Sequence, residues 1–148
     1  MKRVLVLLGP NLNMVGRREP GIYGEISIET IMKDLTGEAE KLGIRLEVFQ
    51  SNHEGVLIDR LQEAQGIYDG ILLNPGGYSH QSIALRDAVA ACGVSVILVH
   101  LSNTWARESY RHQDIVGSAC HGAVIGLGRV SFSAGLWALY RLSEERPG

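Results

Sequence analysis

Short apolar runs alternate along this chain with segments in which apolar residues recur every three or four positions. The runs are typical of buried strands, and the periodic segments are typical of amphipathic helices. Strands that alternate with helices indicate βαβ units around a mostly parallel sheet. We therefore predict an α/β fold.

The pattern predicts five strands and four helices. The predicted strands are residues 4–8, 46–49, 71–73, 96–99 and 123–127. The predicted helices lie within residues 28–42, 57–64, 83–91 and 132–142. Ser27 is the predicted N-cap of the first helix, and Gly43 is the glycine predicted to end it.

Size and charge restrict the class of protein. A chain of 148 residues that is 45% apolar predicts one domain, residues 1–148, with a single core. A net charge of −2 favours a small-molecule partner over nucleic acid or a membrane. The apolar N-terminal run has no small-residue cleavage site, so we interpret it as the first strand of a cytoplasmic protein. Cys92 and Cys120 form no Cys-x-x-Cys pair and are predicted to be reduced, buried thiols.

Polar clusters follow the first four predicted strands. The carboxyl ends of parallel strands lie at one edge of a sheet, where open α/β sheets bind their ligands. The clusters are residues 9–13, 50–54, 74–80 and 100–103, and they are rich in asparagine and histidine. We expect them to form one site.

The connection from Gly9 to Gly24 is longer than an ordinary strand-to-helix loop. Long loops in compact domains usually carry function, often as lids. This one contains Asn11, Arg18 and Tyr23. Taken alone, the arginine and the tyrosine are more typical of a solvated surface pair, and only the neighbouring motifs favour a functional role.

Several classes of chemistry lack their usual motifs. The chain has no Gly-x-Gly-x-x-Gly after a strand for a dinucleotide and no Gly-x-Ser-x-Gly elbow for a hydrolase. Its five histidines fall in no short metal-ligand motif, and its three lysines occupy positions predicted to be exposed. We expect no metal and no cofactor. General acid–base chemistry by tyrosine, histidine and arginine, with asparagines that orient a polar substrate, remains.

Seven segments then occur in a specific order and spacing. They are Gly9-Pro10-Asn11-Leu12-Asn13, Gly16-Arg17-Arg18-Glu19-Pro20 with Tyr23-Gly24, residues 50–55, residues 74–80, Arg86-Asp87, residues 100–103, and Arg107-Glu108 with Arg111-His112. This ordered set resembles the type II 3-dehydroquinate dehydratases. The resemblance implies a flavodoxin-like three-layer α/β/α sandwich with a five-stranded parallel sheet, assembled as a homododecamer.

The resemblance also implies a reaction. Members of this family are hydro-lyases that convert 3-dehydroquinate to 3-dehydroshikimate through an enolate, without a cofactor. The step belongs both to the shikimate pathway of aromatic amino acid biosynthesis and to quinate breakdown.

Four catalytic roles follow from the resemblance. Tyr23 would be the base that removes a proton beside the substrate ketone. Tyrosine ordinarily titrates near pH ~10, so its phenolate needs a nearby cation, which Arg18 would supply with Arg107 as a second. Asn11 would hold a water molecule that stabilises the enolate oxygen. His100 would be the general acid that protonates the departing hydroxyl.

Substrate-binding roles follow in the same way. Asn74 and the backbone N–H groups around Leu101 and Ser102 would hold the substrate carboxylate and tertiary hydroxyl. Arg111 and His80 would contact the ring hydroxyls.

Asp87 corresponds to a family residue that can reach the site of a neighbouring subunit. In that case oligomerisation would be part of the active site. The alternative is a surface salt bridge with Arg86 or with an arginine across an interface.

Two residues depart from the family pattern. Leu98 stands where the family usually has a glutamate that orients the catalytic histidine, so we expect a weaker general acid or a substitute partner such as Glu54 or a backbone carbonyl. Leu8 stands where the family commonly has asparagine, which could alter support for the Asn11 loop. The first departure also motivates an alternative function, in which a repurposed or inactive relative binds a cyclitol carboxylate without turnover.

Overall fold

A computed structural model describes residues 1–17 and 26–146, and these residues contain five parallel strands and four α-helices. The strands are β1 (Arg3–Leu8), β2 (Arg45–Gln50), β3 (Gly70–Asn74), β4 (Ser95–His100) and β5 (Gly122–Ile125). The helices are α1 (Ile28–Lys41), α2 (Glu54–Gln62), α3 (Ile83–Ala91) and α4 (Val130–Glu145). The predicted α/β fold is confirmed.

Local sequence signals account for the ends of α1. The Ser27 hydroxyl accepts a hydrogen bond from the Thr30 N–H at 3.2 Å, which caps one of the unpaired donors at the helix start. Gly43 follows the helix with a φ of +72°, the left-handed conformation that glycine adopts without steric cost. Both predictions for this helix are confirmed.

The strand order β2-β1-β3-β4-β5 is that of flavodoxin-like sheets. Alternate side chains of each strand point to opposite faces, so Val4 and Val6 pack with α1 and α4, whereas Leu5 and Leu7 pack with α2 and α3. Helices therefore cover both faces, and the predicted three-layer sandwich is confirmed.

Two elements end two residues before the predicted position, whereas α2 begins at Glu54, before its predicted range, and α4 (Val130–Glu145) extends beyond its own at both ends. β5 ends at Ile125 rather than at residue 127, because Gly126 has a φ of +88° and turns the chain out of the sheet. α2 ends at Gln62, although Ala64 beyond it is fully buried in the same core as the helix. Apolar periodicity marks buried positions, and these continue past the last helical residue.

The direction in which the sheet grows reverses at β1, which has β2 on one side and β3 on the other. Such a switch point opens a crevice beyond the carboxyl ends of the strands. The loops that leave β1 and β3 meet there, and the Gly9 N–H donates to the Asn74 carbonyl at 2.7 Å. A Cβ at Gly9 would lie 2.6 Å from the carbonyl carbon of Pro75, and one at Gly76 would lie 2.8 Å from the Pro10 oxygen. The two backbones thus touch where only glycine fits.

Both cysteines are free thiols, as predicted, with Cys92 buried and Cys120 partly buried. Burial raises the pKa of the Cys120 thiol to about 12.

Among the described residues, no helix is both long enough and apolar enough to span a membrane.

The contact between these loops predicts opposite effects for two glycine-to-alanine substitutions. Gly9→Ala should destabilise the protein by about 1–3 kcal/mol, because the new methyl group overlaps a backbone that cannot rotate away. Gly37→Ala, in the middle of α1 with no atom within 4 Å of the new Cβ, should stabilise it by about 0.5–1 kcal/mol. Urea unfolding of both variants measures the difference, and equal effects would contradict the backbone contact.

Candidate active site

A pocket lies at the carboxyl ends of β1, β3 and β4, at the switch point of the sheet. Among its lining residues are eight that the sequence analysis singled out: Asn11, Asn74, His80, His100, Leu101, Ser102, Arg107 and Arg111. They come from four separate stretches of the chain. The fold therefore brings most of the predicted site residues together.

Asn11 begins the loop after β1 with a φ of 68°, and it is the only non-glycine residue with a positive φ among the described residues. Asparagine tolerates this left-handed conformation better than most residues. The Asn11 N–H donates to Asn52 Oδ1 at 3.1 Å, and Gln50 Nε2 donates to the same oxygen at 3.0 Å. Residues at the end of β2 thus hold the Asn11 backbone in place. The side-chain amide of Asn11 forms no hydrogen bond with the described residues.

Three N–H donors belong to residues that line the pocket, Asn74, Leu101 and Ser102. Asn74 Oδ1 accepts the Gly76 N–H at 3.1 Å, which fixes the orientation of the amide and leaves Nδ2 as the free donor. The backbone N–H groups of Leu101 and Ser102 donate no hydrogen bond to any described residue. Neighbouring N–H groups that other described residues do not use suit an anion such as a carboxylate.

His80 lies beside these donors, at the end of the short turn Gly76–His80. Its Nδ1 donates to the Gln113 carbonyl at 2.8 Å, so in the neutral ring Nε2 is the acceptor. Its ring stacks on that of His100, with centroids 5.9 Å apart and an interplanar angle of 13°. The two imidazoles form one wall of the pocket.

Two arginines supply positive charge. Arg107 Nη1 donates to the Ser102 hydroxyl at 3.3 Å, and Arg111 Nε donates to Glu108 at 2.5 Å. The hydrogen bond from Arg111 lowers the pKa of the Glu108 carboxyl, so this carboxylate stays charged beside the guanidinium. Both arginines line the pocket and Glu108 does not, so the charge at its lining favours an anionic ligand.

His100 is the last residue of β4 and is only 6% exposed. Its Nε2 lies 2.9 Å from Asp114 Oδ2 and 3.1 Å from the hydroxyl of the fully buried Ser79. The Ser79 hydroxyl lies 2.7 Å from each oxygen of Asp114 and donates to them. The Gly117 N–H donates to Asp114 Oδ1, also at 2.7 Å. A histidine, a serine and a carboxylate thus form one network.

Asp114 is a residue that the sequence analysis missed. Burial, the largest single influence, raises the pKa of its carboxyl, but hydrogen bonds from His100, Ser79 and Gly117 together bring it below the ordinary value. The carboxylate therefore stays ionised beside the imidazole. The only sequence signal was indirect, because a histidine preceded by Leu98 needed a carboxylate from elsewhere.

Two predicted residues, Glu54 and Asp87, do not line this pocket, and two others lie outside the described residues. The carboxylate beside His100 belongs to Asp114, whereas Glu54 accepts a hydrogen bond from Ser82 at 2.5 Å, near the start of α3. Asp87 forms an ion pair with Arg86 at 3.2 Å, and its side chain is 64% exposed. Arg18 and Tyr23 lie outside the described residues.

The lowered pKa of Asp114 predicts how stability depends on pH. A group whose pKa falls on folding stabilises the protein above its unfolded pKa, near 3.9 for aspartate, and that contribution is lost as the pH falls through the folded pKa. Asp114→Asn should therefore be less stable than wild type at pH ~7, and the gap should narrow below pH ~4. Urea unfolding at several pH values measures this gap. Asp59→Asn, at an exposed position on α2, is the control, and a gap that stays constant with pH would contradict the prediction.

The chain is similar to known dehydroquinases over nearly its whole length. A family model for class II dehydroquinases matches residues 2–140. The 3-dehydroquinate dehydratase of Bacillus cytotoxicus is 51% identical over 139 residues, which are 94% of this chain and 95% of that protein. The crystal structure of type II dehydroquinase from Butyrivibrio crossotus superimposes with a TM-score of 0.91 at 39% identity and covers 93% of this chain and 97% of that one. The chain belongs to the class II dehydroquinase family.

Proposed function

We propose that this protein is a hydro-lyase that dehydrates 3-dehydroquinate to 3-dehydroshikimate, without a cofactor, as a single cytoplasmic domain. The observation that carries the proposal is the pocket in which eight predicted residues converge, in a chain 51% identical to a 3-dehydroquinate dehydratase. The charge and donors of the pocket suit a substrate that is both a carboxylate and a polyol.

The substrate carboxylate would bind where Asn74 Nδ2 meets the N–H groups of Leu101 and Ser102. These donors are held by the ends of β3 and β4, so they need little reorganisation to accept an anion. Arg111 and His80 would contact the ring hydroxyls. His80 suits this contact because its Nδ1 already donates a hydrogen bond to the Gln113 carbonyl. Its Nε2 can therefore accept a hydrogen bond from a ring hydroxyl.

Tyr23 would begin the reaction as a phenolate. It would take a proton from the carbon beside the ketone, and the electron pair of the broken C–H bond would move onto the ketone oxygen as an enolate. Arg18 would stabilise the phenolate, with support from Arg107, which lines the pocket. Asn11 would hold the water that donates to the enolate oxygen. Its side-chain amide is available for this role, because it forms no hydrogen bond with the described residues.

His100 would complete the dehydration. As the enolate collapses, a carbon–carbon double bond forms and the C–O bond to the hydroxyl breaks. The departing hydroxyl takes the proton of His100 and leaves as water. The proton held by Tyr23 then returns to His100 for the next cycle, so no other reactant is consumed.

Leu98 motivated an alternative function, in which a repurposed or inactive relative binds a cyclitol carboxylate without turnover. The contact between His100 and Asp114 weakens that motive, because a carboxylate is present at the imidazole. Turnover is therefore the function that the site supports best.

Replacing the proposed base tests this function. Wild-type protein mixed with 3-dehydroquinate in chelator-containing buffer should generate the ultraviolet absorbance of a conjugated enone, and prior borohydride treatment should not reduce the rate. Tyr23→Phe should lose at least about 100-fold in kcat, because the base is absent, and should still bind a quinate analogue. Tyr140→Phe, which removes a hydroxyl from α4, should remain fully active.

The outcomes separate the two functions. A fully active Tyr23→Phe variant would refute the mechanism. Folded wild-type protein that binds a quinate analogue and forms no product would instead identify a binding protein.

We further propose that the protein assembles as a homododecamer in which Asp87 of each subunit faces the site of a neighbour. Asp87 is largely exposed on α3 and pairs only with the adjacent Arg86 within the described part of its own chain. A carboxylate in this position is available to another subunit.

Mixing two defective variants tests this arrangement. If the sites are shared, unfolding and reassembling Tyr23→Phe with Asp87→Ala should recover activity, because some sites would combine an intact tyrosine with an intact aspartate from the neighbour. Sedimentation would report the size of the assembly. Mixtures that are no more active than the sum of the two variants would show that Asp87 serves no neighbouring site.

A further inference from the structure

Asp114 occupies an irregular segment between the turn that ends at Arg111 and β5. Its side chain is 19% exposed, and its two oxygens accept hydrogen bonds from the Ser79 hydroxyl, the Gly117 N–H and His100 Nε2. Two of these donors are fixed by neighbouring backbone, since the Val116 N–H also donates to the Ser79 carbonyl at 3.1 Å. The carboxylate is therefore held in one place with one face towards the imidazole.

This contact determines which nitrogen of His100 carries a proton in the neutral ring. A carboxylate only accepts hydrogen bonds, so Nε2 must be the protonated nitrogen. Nδ1 forms no hydrogen bond with any described residue, and His100 lines the pocket. Nδ1 is thus the nitrogen that exchanges a proton with the substrate.

Leu98 lies two residues before His100, on the same face of β4. A Cβ added to Gly117 would lie 2.9 Å from Leu98 Cδ2 and 3.0 Å from Asp114 Oδ1, so the ends of these two side chains approach the same glycine. A longer acidic side chain at position 98 would therefore reach the space that the Asp114 carboxylate occupies. The leucine instead places an apolar side chain beside Gly117.

We propose that Asp114 is a positioning residue that fixes the orientation and the tautomer of His100, and that it supplies from the irregular segment the carboxylate that Leu98 does not provide. The proposal rests on the function proposed above for His100. It adds a residue, Asp114, and a specific proton-transfer atom, Nδ1.

Kinetics of a carboxylate exchange test the proposal. Asp114→Ala should lower kcat by about 10- to 100-fold, with KM changed less than about threefold, because the imidazole loses its orientation rather than its contact with substrate. Adding Leu98→Glu to Asp114→Ala should restore kcat at least about tenfold. Asp59→Asn, which removes a carboxylate from the exposed side of α2, should leave kcat and KM unchanged.

A measurement on the imidazole itself separates positioning from a general loss of stability. Solid-state NMR of protein labelled with 15N-histidine, recorded at a pH at which the spectrum itself shows a neutral His100 ring, should show a protonated Nε2 and an unprotonated Nδ1 for His100 in the wild type. Asp114→Ala should give a mixture of tautomers, and the double variant should return to the wild-type form. His100→Asn identifies the signal. If Asp114→Ala does not fold, Asp114→Asn replaces it in the kinetic comparison.

Two results would overturn the proposal. The first is an Asp114→Ala variant that keeps both kcat and a single His100 tautomer. The second is a folded double variant that is no better than Asp114→Ala in either measurement. If the wild type proves unable to dehydrate 3-dehydroquinate, the proposed function fails, and the tautomer measurement still decides the role of Asp114.

Discussion

The contact between the backbones of Gly9 and Pro75 is the constraint on which the pocket depends. β1 and β3 are neighbours at the switch point of the sheet, and the loops that leave them would separate if either carried a side chain at the contact. Because the loops touch, Asn11 and Asn74 line the same pocket as the end of β4. The site is thus built by close packing of the main chain, and its side chains follow from it.

The His100 network shows that an imidazole is oriented by a group at a point in space, whatever the position of that group in the sequence. Three segments contribute to it: the end of β4, the turn that contains Ser79, and the irregular segment that contains Asp114. A carboxylate from any element that reaches the imidazole can orient it. Although position 98 is a leucine, His100 therefore still has a carboxylate to orient it, that of Asp114.

The pocket contains two kinds of hydrogen-bond donor, neutral N–H groups and charged guanidinium groups. Backbone N–H groups at the end of β4 and the Asn74 amide are rigid neutral donors, which suit a carboxylate held throughout the reaction. The charge of Arg107 and Arg111 attracts the anion from solvent and favours any negative charge that develops during turnover. The stacked imidazoles of His80 and His100 line the same pocket.

The sequence by itself determined the α/β class, the strands and helices, and the caps of α1, because apolar periodicity and capping side chains act over fewer than about ten residues. It also indicated, through ordered motifs, which residues were candidates for the site, and eight of them line one pocket. Only the tertiary structure decided that the carboxylate in contact with His100 belongs to Asp114 rather than to Glu54. Asp114 lies 14 positions after His100, and the path of the intervening chain is set by tertiary packing. The tertiary structure also decided where β5 ends. Hydrogen bonds between distant segments depend on how loops pack, and no local pattern of residues encodes that packing.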